Sequence, residues 1–334
     1  MATKKTQRKI LVTGTAGFIG YHCARALLAQ GDAVIGVDNF TPYYDVRMKQ
    51  ARHRILTKNK SFRFYKISIV DYRALEKVII KERPDTIVHL AAQAGVRFSL
   101  KNPWVYADSN YLGTLNIFEA TKRHGIKRVL FASSSSVYGD NKKMPFSESD
   151  ATDHPISVYA ASKKGNEALA YSYHSLYGIE VAGMRFFTVY GRYGRPDLAL
   201  FKFTKNIIAG KPIDVYNRGK MKRSFTHIDD VVSGILALLK KKNLRYELYN
   251  LGGDEATSIL DFIRIIEKSI GKKAIMNLLP IQAGDVPATI ADTAKARRDL
   301  GYHPRVSIER GIADFVDWFM ENKAWLLRLK EPMQ

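Results

Sequence analysis

A tyrosine and a lysine four residues apart, Tyr159 and Lys163, are the pair best suited to chemistry in this chain. On a helix this spacing places both side chains on one face. A free tyrosine has a pKa of about 10, and a nearby ammonium group favours its phenolate. Tyr159 could then remove a proton from a substrate hydroxyl group. A run of four serines, Ser133 to Ser136, precedes the pair, and one of their hydroxyl groups could hold the substrate oxygen.

A second chemical signal is the glycine spacing G-x-x-G-x-x-G, formed by Gly14, Gly17 and Gly20 between an apolar run and a helical pattern. This context is typical of a dinucleotide-binding turn, in which a helix N-terminus binds the pyrophosphate. Asp38 ends the next apolar run, where a carboxylate can accept hydrogen bonds from an adenosine ribose. Because a carboxylate repels a 2′-phosphate, NAD is favoured over NADP as the cofactor.

These residues need elements that bring them to one edge of a sheet. The first half of the chain alternates apolar runs with helical patterns, which predicts a doubly wound parallel α/β sheet of the Rossmann type. Ligands bind at the carboxyl ends of the strands in such sheets. The predicted strands are residues 10–13, 33–37, 62–67, 86–90, 128–133 and 181–185. The predicted helices are residues 18–29, 46–56, 72–81, 104–124 and 158–177.

The regular alternation of apolar runs and helical patterns ends after residue 185, where the predicted loops are longer and Gly, Pro and Arg become frequent. Four helices, at about residues 200–209, 229–239, 259–269 and 308–322, and one strand at 248–251 are expected there. We therefore predict an NAD-binding Rossmann domain over residues 1–185, to which 227–250 return. Residues 186–226 and 251–334 are predicted to form a smaller C-terminal α/β lobe that binds the substrate.

The composition narrows the class of protein. The formal net charge is +21, but the basic residues are scattered, which favours a lysine-rich surface or an anionic substrate over a nucleic-acid-binding stripe. No apolar run is long enough to span a bilayer. The only cysteine, Cys23, excludes an internal disulfide and fits a reducing compartment. We expect a cytoplasmic enzyme with no metal, no membrane association and no nucleic-acid partner.

From Lys9 to about Gly301 the sequence resembles the extended short-chain dehydrogenase/reductase superfamily. Within that superfamily it is most similar to nucleotide-sugar 4-epimerases, and closest to the UDP-glucuronate 4-epimerases. The stretches that carry the resemblance, besides the glycine turn and the Tyr159–Lys163 pair, are residues 38–45, 89–97, 133–139, 185–191, 194–197, 224–230 and 283–287.

The resemblance implies permanently held NAD and a homodimer formed through the helices predicted at 104–124 and 158–177. It implies that Ser134, Tyr159 and Lys163 are catalytic. The implied NAD contacts are Gly14, Gly17, Phe18, Ile19, Gly20, Asp38, Asn39, Leu90, Ala91, Ala92, Asn110, Tyr159, Lys163 and Phe187. The implied UDP-sugar contacts are Arg97, Ser135, Ser136, Thr188, Arg195, Arg223 and Asp285, with Arg223 near the diphosphate.

The sequence departs from the family pattern at three places. Ile67-Ser68 stands where the family often has Gly-Asp, whose aspartate helps to hold adenine. Ser224 replaces the aspartate of an Arg-Asp-Phe-Thr motif, and Arg192-Tyr193 replaces Pro-Trp. Since the catalytic residues are intact, we interpret these changes as tuning of the activity.

The residues before Val137 indicate which reaction follows oxidation at C4. Dehydratases that resemble this chain carry Asp-Glu there, and the similar decarboxylases carry a glutamate, whereas Ser135 and Ser136 supply no carboxylate. This favours rotation of the 4-keto sugar and re-reduction, which is C4 epimerisation. Thr188 and Arg195 match the uronate type of motif, and Arg195 could bind a C6 carboxylate in a bidentate pair.

The predicted reaction is therefore the conversion of UDP-glucuronate to UDP-galacturonate, a step of polysaccharide biosynthesis. Three alternatives stay open. The enzyme could be a UDP-glucose or UDP-N-acetylhexosamine 4-epimerase, or it could be a UDP-glucuronate decarboxylase. More remotely, the chain could be a non-catalytic relative that senses NAD or binds RNA.

Overall fold

Alternating apolar runs become the strands of one large sheet in the computed structural model, which describes residues 7–330. Residues 1–6 and 331–334, which the predicted domain limits include, lie outside the described part. The strands are β1 (Lys9–Thr13), β2 (Ala33–Val37), β3 (Phe62–Tyr65), β4 (Thr86–His89), β5 (Arg128–Ser134), β6 (Glu180–Phe186), β7 (Thr188–Tyr190), β8 (Ile213–Val215), β9 (Lys222–His227), β10 (Tyr246–Leu251), β11 (Ala256–Ser258), β12 (Met276–Leu278) and β13 (Ala288–Thr289).

Helices cover both faces of this sheet and build most of the second lobe. The α-helices are α1 (Phe18–Ala29), α2 (Val46–Leu56), α3 (Tyr72–Glu82), α4 (Val96–Lys101), α5 (Trp104–Tyr106), α6 (Gly113–Arg123), α7 (Val158–Tyr177), α8 (Ala199–Ala209), α9 (Ile228–Lys240), α10 (Ile259–Ile270), α11 (Ala294–Leu300), α12 (Ile308–Glu321) and α13 (Lys323–Leu326). A π-helical turn covers Ala107–Leu112, and 3-10 turns cover Ser135–Tyr138 and Tyr216–Gly219. The helices predicted at 18–29, 46–56 and 158–177 agree with α1, α2 and α7 residue for residue.

The main sheet has seven strands in the order β10-β6-β5-β4-β1-β2-β3, and every neighbouring pair is parallel. Thr13 pairs with both Val37 and His89, so the carboxyl ends of β1, β2 and β4 lie level with one another. The order of the strands reverses between β1 and β4, which is where doubly wound sheets bind their ligands. The predicted Rossmann-type α/β fold is therefore confirmed.

Burial on both faces explains why these strands read as continuous apolar runs. Ile10 of β1 belongs to a core cluster with Leu27 of α1 and Ile235 of α9. The next residue, Leu11, belongs to the cluster on the opposite face, with Ile79 of α3 and Phe118 of α6. This alternation fixes the register of the strand, because a shift by one residue would exchange the two faces.

The second lobe is built around β9, which pairs in parallel with β7 and β13 and antiparallel with β11. Its helices α8, α10 and α12 share a core that includes Phe201, Phe262 and Phe315. The strands β7, β8, β11, β12 and β13 are two or three residues long, too short for sequence periodicity to indicate them. The strand predicted at 248–251 is β10 at the edge of the main sheet, whereas the domain limits stay a prediction.

Candidate active site

A cavity of about 800 Å³ lies where the carboxyl ends of the central strands meet the second lobe. The predicted site residues converge on it from distant parts of the chain. Those that line it are Gly14, Gly17, Phe18, Ile19, Gly20, Asp38, Asn39, Leu90, Ala91, Ala92, Arg97, Ser134, Ser135, Ser136, Tyr159, Lys163, Phe187, Thr188, Arg195, Arg223 and Asp285.

Asn110 is the predicted site residue that the structure places elsewhere. Its buried side chain accepts a hydrogen bond from Gln93 N (2.8 Å) and donates to Gln93 O (3.1 Å) and Ser162 Oγ (3.0 Å). The π-helical turn that carries it interrupts the helix predicted over 104–124. These bonds make Asn110 a support for Gln93, which does line the cavity, and the implied contact of Asn110 with NAD stays a prediction.

The glycine turn is a tight cradle at the N-terminus of α1. Gly14 has a φ of +76°, and a Cβ there would lie 2.8 Å from Ala91 N. A Cβ on Gly20 would lie 2.0 Å from the carbonyl oxygen of Gly14, so a larger residue would displace the backbone. Gly17 caps α1 with no side-chain hydrogen bond, which leaves the first N–H groups of the helix available to an anion. This arrangement fits a dinucleotide pyrophosphate.

Asp38 follows β2 and is 7% exposed. Its carboxylate accepts hydrogen bonds from Ala16 N (3.0 Å) and Phe40 N (2.8 Å), so it braces the glycine turn as well as facing the cavity. A carboxylate oxygen can accept more than one hydrogen bond, which leaves capacity for a ribose diol. Ser68, the predicted departure from the family pattern, also lines this end of the cavity.

The catalytic candidates lie together at the centre of the cavity. Tyr159 and Lys163 are presented by α7, whose N-terminus is capped by Ser157 Oγ accepting from Ala160 N (3.1 Å). Ser134, which ends β5, lines the cavity with Tyr159 and acts on the pKa of its hydroxyl group. Ser134 Oγ in turn donates to Ser136 Oγ (3.1 Å) and accepts from Ser136 N (3.1 Å). The predicted serine, tyrosine and lysine are thus brought together.

Burial dominates the electrostatics of this group. It raises the pKa of Tyr159 above its ordinary value, and the polar side chain of Ser134 and the positive charge of Arg195 oppose that rise. Burial also lowers the pKa of Lys163 to about 8. The Lys163 ammonium donates to the carbonyl oxygen of Ala132 (2.9 Å). The positive charge that acts on Tyr159 here is therefore that of Arg195, which sequence reasoning assigned only to the substrate.

Arg195 is held in a defined orientation by Asp197. Arg195 Nε donates to Asp197 Oδ1 (2.9 Å) and Nη2 donates to Oδ2 (2.7 Å). This pair uses the side-on edge of the guanidinium, whereas Nη1 forms no hydrogen bond within residues 7–330. A bidentate pair with a ligand is therefore possible only through the end-on edge, Nη1 with the second N–H of Nη2.

Sequence reasoning missed two residues of this arrangement. Asp197 lies in a motif that was recognised, but no role was predicted for it. Tyr43 lines the cavity, and burial and the negative charge of the Asp197 carboxylate raise its pKa to about 12. Tyr43, Asp197 and Arg195 form a connected polar cluster on the substrate side. The spacing of two residues between Arg195 and Asp197 was the sequence feature that could have indicated the ion pair.

The remaining predicted substrate residues lie at the mouth of the cavity. Arg97 Nη2 forms an ion pair with Asp285 Oδ2 (3.2 Å), and the Arg97 guanidinium lies 4.5 Å from the ring centre of Tyr216. Arg223 donates to the carbonyl oxygens of Val286 (2.8 Å) and Pro287 (3.1 Å). The Arg97–Asp285 ion pair joins α4 to the second lobe, whereas the Arg223 bonds lie within that lobe, so both lobes contribute charge to a ligand there.

A buried ion pair supports the strand that carries Ser134, the candidate catalytic serine. Glu167, one turn after Lys163 on α7, accepts two hydrogen bonds from Arg185 of β6, both 2.8 Å long. Glu167 also accepts from Ser133 Oγ (2.6 Å), and Arg185 donates to the Tyr138 hydroxyl (3.0 Å). The side chains of Glu167 and Arg185 are 3% and 2% exposed. This network fixes α7 against the end of β5 and β6.

Two kinds of feature are absent from residues 7–330. No helix in this range is long and apolar enough to cross a membrane. The same residues contain no cluster of three or more His, Cys, Asp or Glu side chains arranged to hold a metal ion.

Comparison with known proteins assigns the chain to a family. Residues 10–252 match the profile of the NAD dependent epimerase/dehydratase family. A UDP-glucuronate 4-epimerase of Thermodesulfobacterium geofontis is 47% identical over 313 residues, which cover 93% of this chain and 96% of that protein. A probable UDP-glucuronate 4-epimerase of Rhizobium meliloti is 43% identical over 332 residues, covering 94% of this chain and 97% of that protein.

Solved structures agree with this assignment. The UDP-glucuronic acid 4-epimerase of Bacillus cereus, in complex with UDP-glucuronic acid and NAD, matches with a TM-score of 0.89 at 37% identity. The match covers 94% of this chain and 99% of that chain. A UDP-glucose 4-epimerase of Thermotoga maritima matches with a TM-score of 0.86 at 31% identity, covering 94% of this chain and 99% of that chain. The chain belongs to the NAD dependent epimerase/dehydratase family.

Proposed function

We propose that this protein is an NAD-dependent epimerase that interconverts UDP-glucuronate and UDP-galacturonate by inverting C4 of the sugar. The observation that carries the proposal is the presence of Arg195, with an uncommitted guanidinium edge, in the same cavity as Tyr159 and Lys163. Relatives with the corresponding name, at 43% and 47% identity over nearly the whole chain, support it.

The chain's own residues hold the cofactor and move the proton. Bound NAD supplies a reversible two-electron oxidant for C4. The N–H groups at the start of α1 hold the pyrophosphate, and Asp38 accepts from the ribose diol. Tyr159 takes the proton of the C4 hydroxyl group during oxidation and returns it to the C4 oxygen during reduction. Ser134, which lines the same cavity as Tyr159, orients that oxygen, and the charge of Arg195 lowers the cost of the phenolate.

The cavity favours epimerisation over elimination or decarboxylation. Its wall contains four carboxylates, Asp38, Asp197, Asp214 and Asp285. Asp38 braces the glycine turn, Asp197 and Asp285 are ion-paired with arginines, and Asp214 accepts a hydrogen bond from Asn277 Nδ2 (3.2 Å). The 3-10 turn after Ser134 contributes serines at the positions where an acid–base carboxylate would be needed for loss of water. The 4-keto sugar is therefore left to turn its other face and be reduced.

A uronate suits the substrate side better than a neutral hexose. The end-on edge of Arg195 can hold a C6 carboxylate through two charge-assisted hydrogen bonds, and Thr188 lines the same wall. The 4-keto intermediate of a uronate is a β-keto acid that can lose carbon dioxide. A carboxylate held still by Arg195 is kept from the geometry in which that bond breaks.

Proton NMR of the purified protein incubated with UDP-glucuronate tests the proposal. We expect a new anomeric signal from UDP-galacturonate that reaches equilibrium from either direction, with no net change in NAD. Parallel incubations with UDP-glucose and UDP-N-acetylglucosamine test the neutral alternatives, and the Tyr159→Phe variant controls for a contaminating epimerase. Formation of a UDP-pentose as the main product, or turnover of neutral UDP-sugars alone, contradicts the proposal.

The proposed partner is a second copy of the chain. The helical segment from α5 to α6 packs on α7, since a Cβ on Gly165 would lie 3.3 Å from the ring of Tyr111. Large apolar side chains stay exposed on both segments: Trp104 is 78% exposed, Tyr111 46%, and Val158 40%. An exposed apolar patch of this kind is typical of a subunit interface.

We also propose a cytoplasmic site of action, which fits the free, buried thiol of Cys23, and a role in polysaccharide biosynthesis.

A further inference from the structure

A fully buried arginine lies between the glycine turn and the loop that carries Arg195. Arg52 of α2 is 0% exposed. Its Nη1 donates to the carbonyl oxygen of Ala16 (2.8 Å) and to the hydroxyl oxygen of Tyr44 (2.6 Å). Its Nε (3.1 Å) and Nη2 (2.7 Å) both donate to the carbonyl oxygen of Tyr193. One guanidinium therefore connects three separate segments of the chain.

The acceptors of Arg52 are all uncharged, which is unusual for a buried arginine. No carboxylate within residues 7–330 forms an ion pair with it, although buried charges in proteins are normally paired. The planar guanidinium offers five N–H donors in a fixed arrangement, and Arg52 uses them to fix the positions of backbone carbonyls. A lysine could not satisfy the Ala16 and Tyr193 carbonyls in the same geometry.

The Tyr193 carbonyl needs such support. Tyr193 adopts a left-handed backbone conformation, with a φ of +56°, which is unfavourable for a bulky residue and persists only where the surroundings impose it. The preceding carbonyl, that of Arg192, accepts a hydrogen bond from His22 Nε2 of α1 (2.9 Å). Two helices that flank the cofactor site thus hold consecutive carbonyls of one loop, and Arg195 follows two residues later.

We propose that Arg52 is a positioning residue that fixes the Arg195 guanidinium relative to the glycine turn and so sets the selectivity for a uronate over a neutral sugar. The inference rests on the proposed function. The Tyr44 contact extends the same support to the substrate side, because the neighbouring Tyr43 lines the cavity and interacts electrostatically with Asp197, which orients Arg195. Weakening the hydrogen bonds of Arg52 should shift the Arg195 guanidinium away from a C6 carboxylate, while the contacts of the UDP moiety stay in place.

Calorimetric titration of the NAD-loaded protein with UDP-glucuronate and with UDP-glucose tests this inference. Both titrations use a Tyr159→Phe background, so that no turnover occurs. In Arg52→Lys we expect the preference for UDP-glucuronate, expressed as the ratio of the two Kd values, to fall about tenfold, as the loss of well-placed charged hydrogen bonds implies. The Kd for UDP-glucose should change by less than about twofold. Arg54→Lys, an exposed position on the same helix, is the matched control and should leave the ratio unchanged.

The two affinities separate positioning from simple destabilisation. If Arg52→Lys weakens both ligands equally, or changes neither, the inference is overturned. If Arg52→Lys does not fold, Tyr44→Phe decides, because it removes one acceptor and leaves the three bonds to carbonyls; we expect a smaller fall in the same ratio, and an unchanged ratio overturns the inference. A parent protein with no preference for UDP-glucuronate refutes the proposed substrate itself, whereas a selective parent with a selective Arg52→Lys variant refutes only the role of Arg52.

Discussion

Replacing Arg195 with methionine removes the one charge that the proposal makes responsible for substrate choice. The free end-on edge of Arg195 offers two N–H groups to a C6 carboxylate. A hydrogen bond between charged groups contributes about 1.5–3 kcal/mol, and the two bonds share one desolvation cost, so we take about 3 kcal/mol for the pair. The Kd for UDP-glucuronate should then rise about 150-fold, with little change for UDP-glucose.

In the Arg195→Met variant, the unpaired Asp197 should weaken the binding of UDP-glucuronate by more than the loss of two hydrogen bonds does. Its carboxylate is 12% exposed and would lose its ion-pair partner, so it would repel the C6 carboxylate of the substrate. The double variant Arg195→Met/Asp197→Asn removes this repulsion and keeps a similar side-chain volume at position 197. The expected order of affinity for UDP-glucuronate is therefore parent protein, then double variant, then single variant.

Calorimetric titration in the Tyr159→Phe background measures these affinities without turnover. A second readout comes from the active enzyme. Since the charge of Arg195 lowers the pKa of Tyr159, the rising limb of the kcat profile should move to higher pH in the active Arg195→Met variant. Equal losses of affinity for UDP-glucuronate and UDP-glucose, or a double variant that binds UDP-glucuronate no better than the single one, would refute the reasoning.

Three further predictions concern the stability of the fold and the oligomeric state of the protein. Burial lowers the pKa of Lys163 to about 8 from 10.5, so the unfolded chain binds more protons between these values and the unliganded protein should gain about 3 kcal/mol of stability as the pH rises across them. Urea unfolding should show that Lys163→Met lacks this gain. Arg185→Met leaves Glu167 buried and unpaired and should cost about 3–5 kcal/mol in the same assay, with Arg54→Met as a neutral surface control. Trp104→Asp should convert a dimer into a monomer in sedimentation experiments; a parent protein that is already monomeric contradicts the proposed interface.

Much of the cofactor side was predictable from sequence because its residues follow strand ends. A glycine turn after β1, a carboxylate after β2 and serines after β5 share one edge of a parallel sheet, so spacing alone places them together. Several of the long helices were predicted for a similar reason, since α10 and α12 have an apolar face with a clear period.

The substrate side was predictable only in part, because its contacts join segments that no local pattern relates. Arg52 lies in a helix with several other basic residues, and nothing in Val46–Leu56 distinguishes the buried one. Asn110 was expected beside the cofactor, but the π-helical turn directs its amide to Gln93. The link between Tyr43 and Asp197 spans more than 150 residues and depends on how the lobes close.

The pairing of Arg195 with Asp197 explains how one side chain can serve two purposes. A lone buried guanidinium would be costly to desolvate in the absence of substrate, and a partner carboxylate offsets that cost. Because Asp197 takes only the side-on edge, it orients the guanidinium without closing it to a ligand. The residual positive potential acts on Tyr159 and offsets part of the cost of ionising this buried side chain before a substrate arrives. A bound uronate then adds a second negative charge to the same guanidinium and weakens that effect, which makes Asp197 the residue that balances selectivity for the carboxylate against the basicity of the catalytic tyrosine.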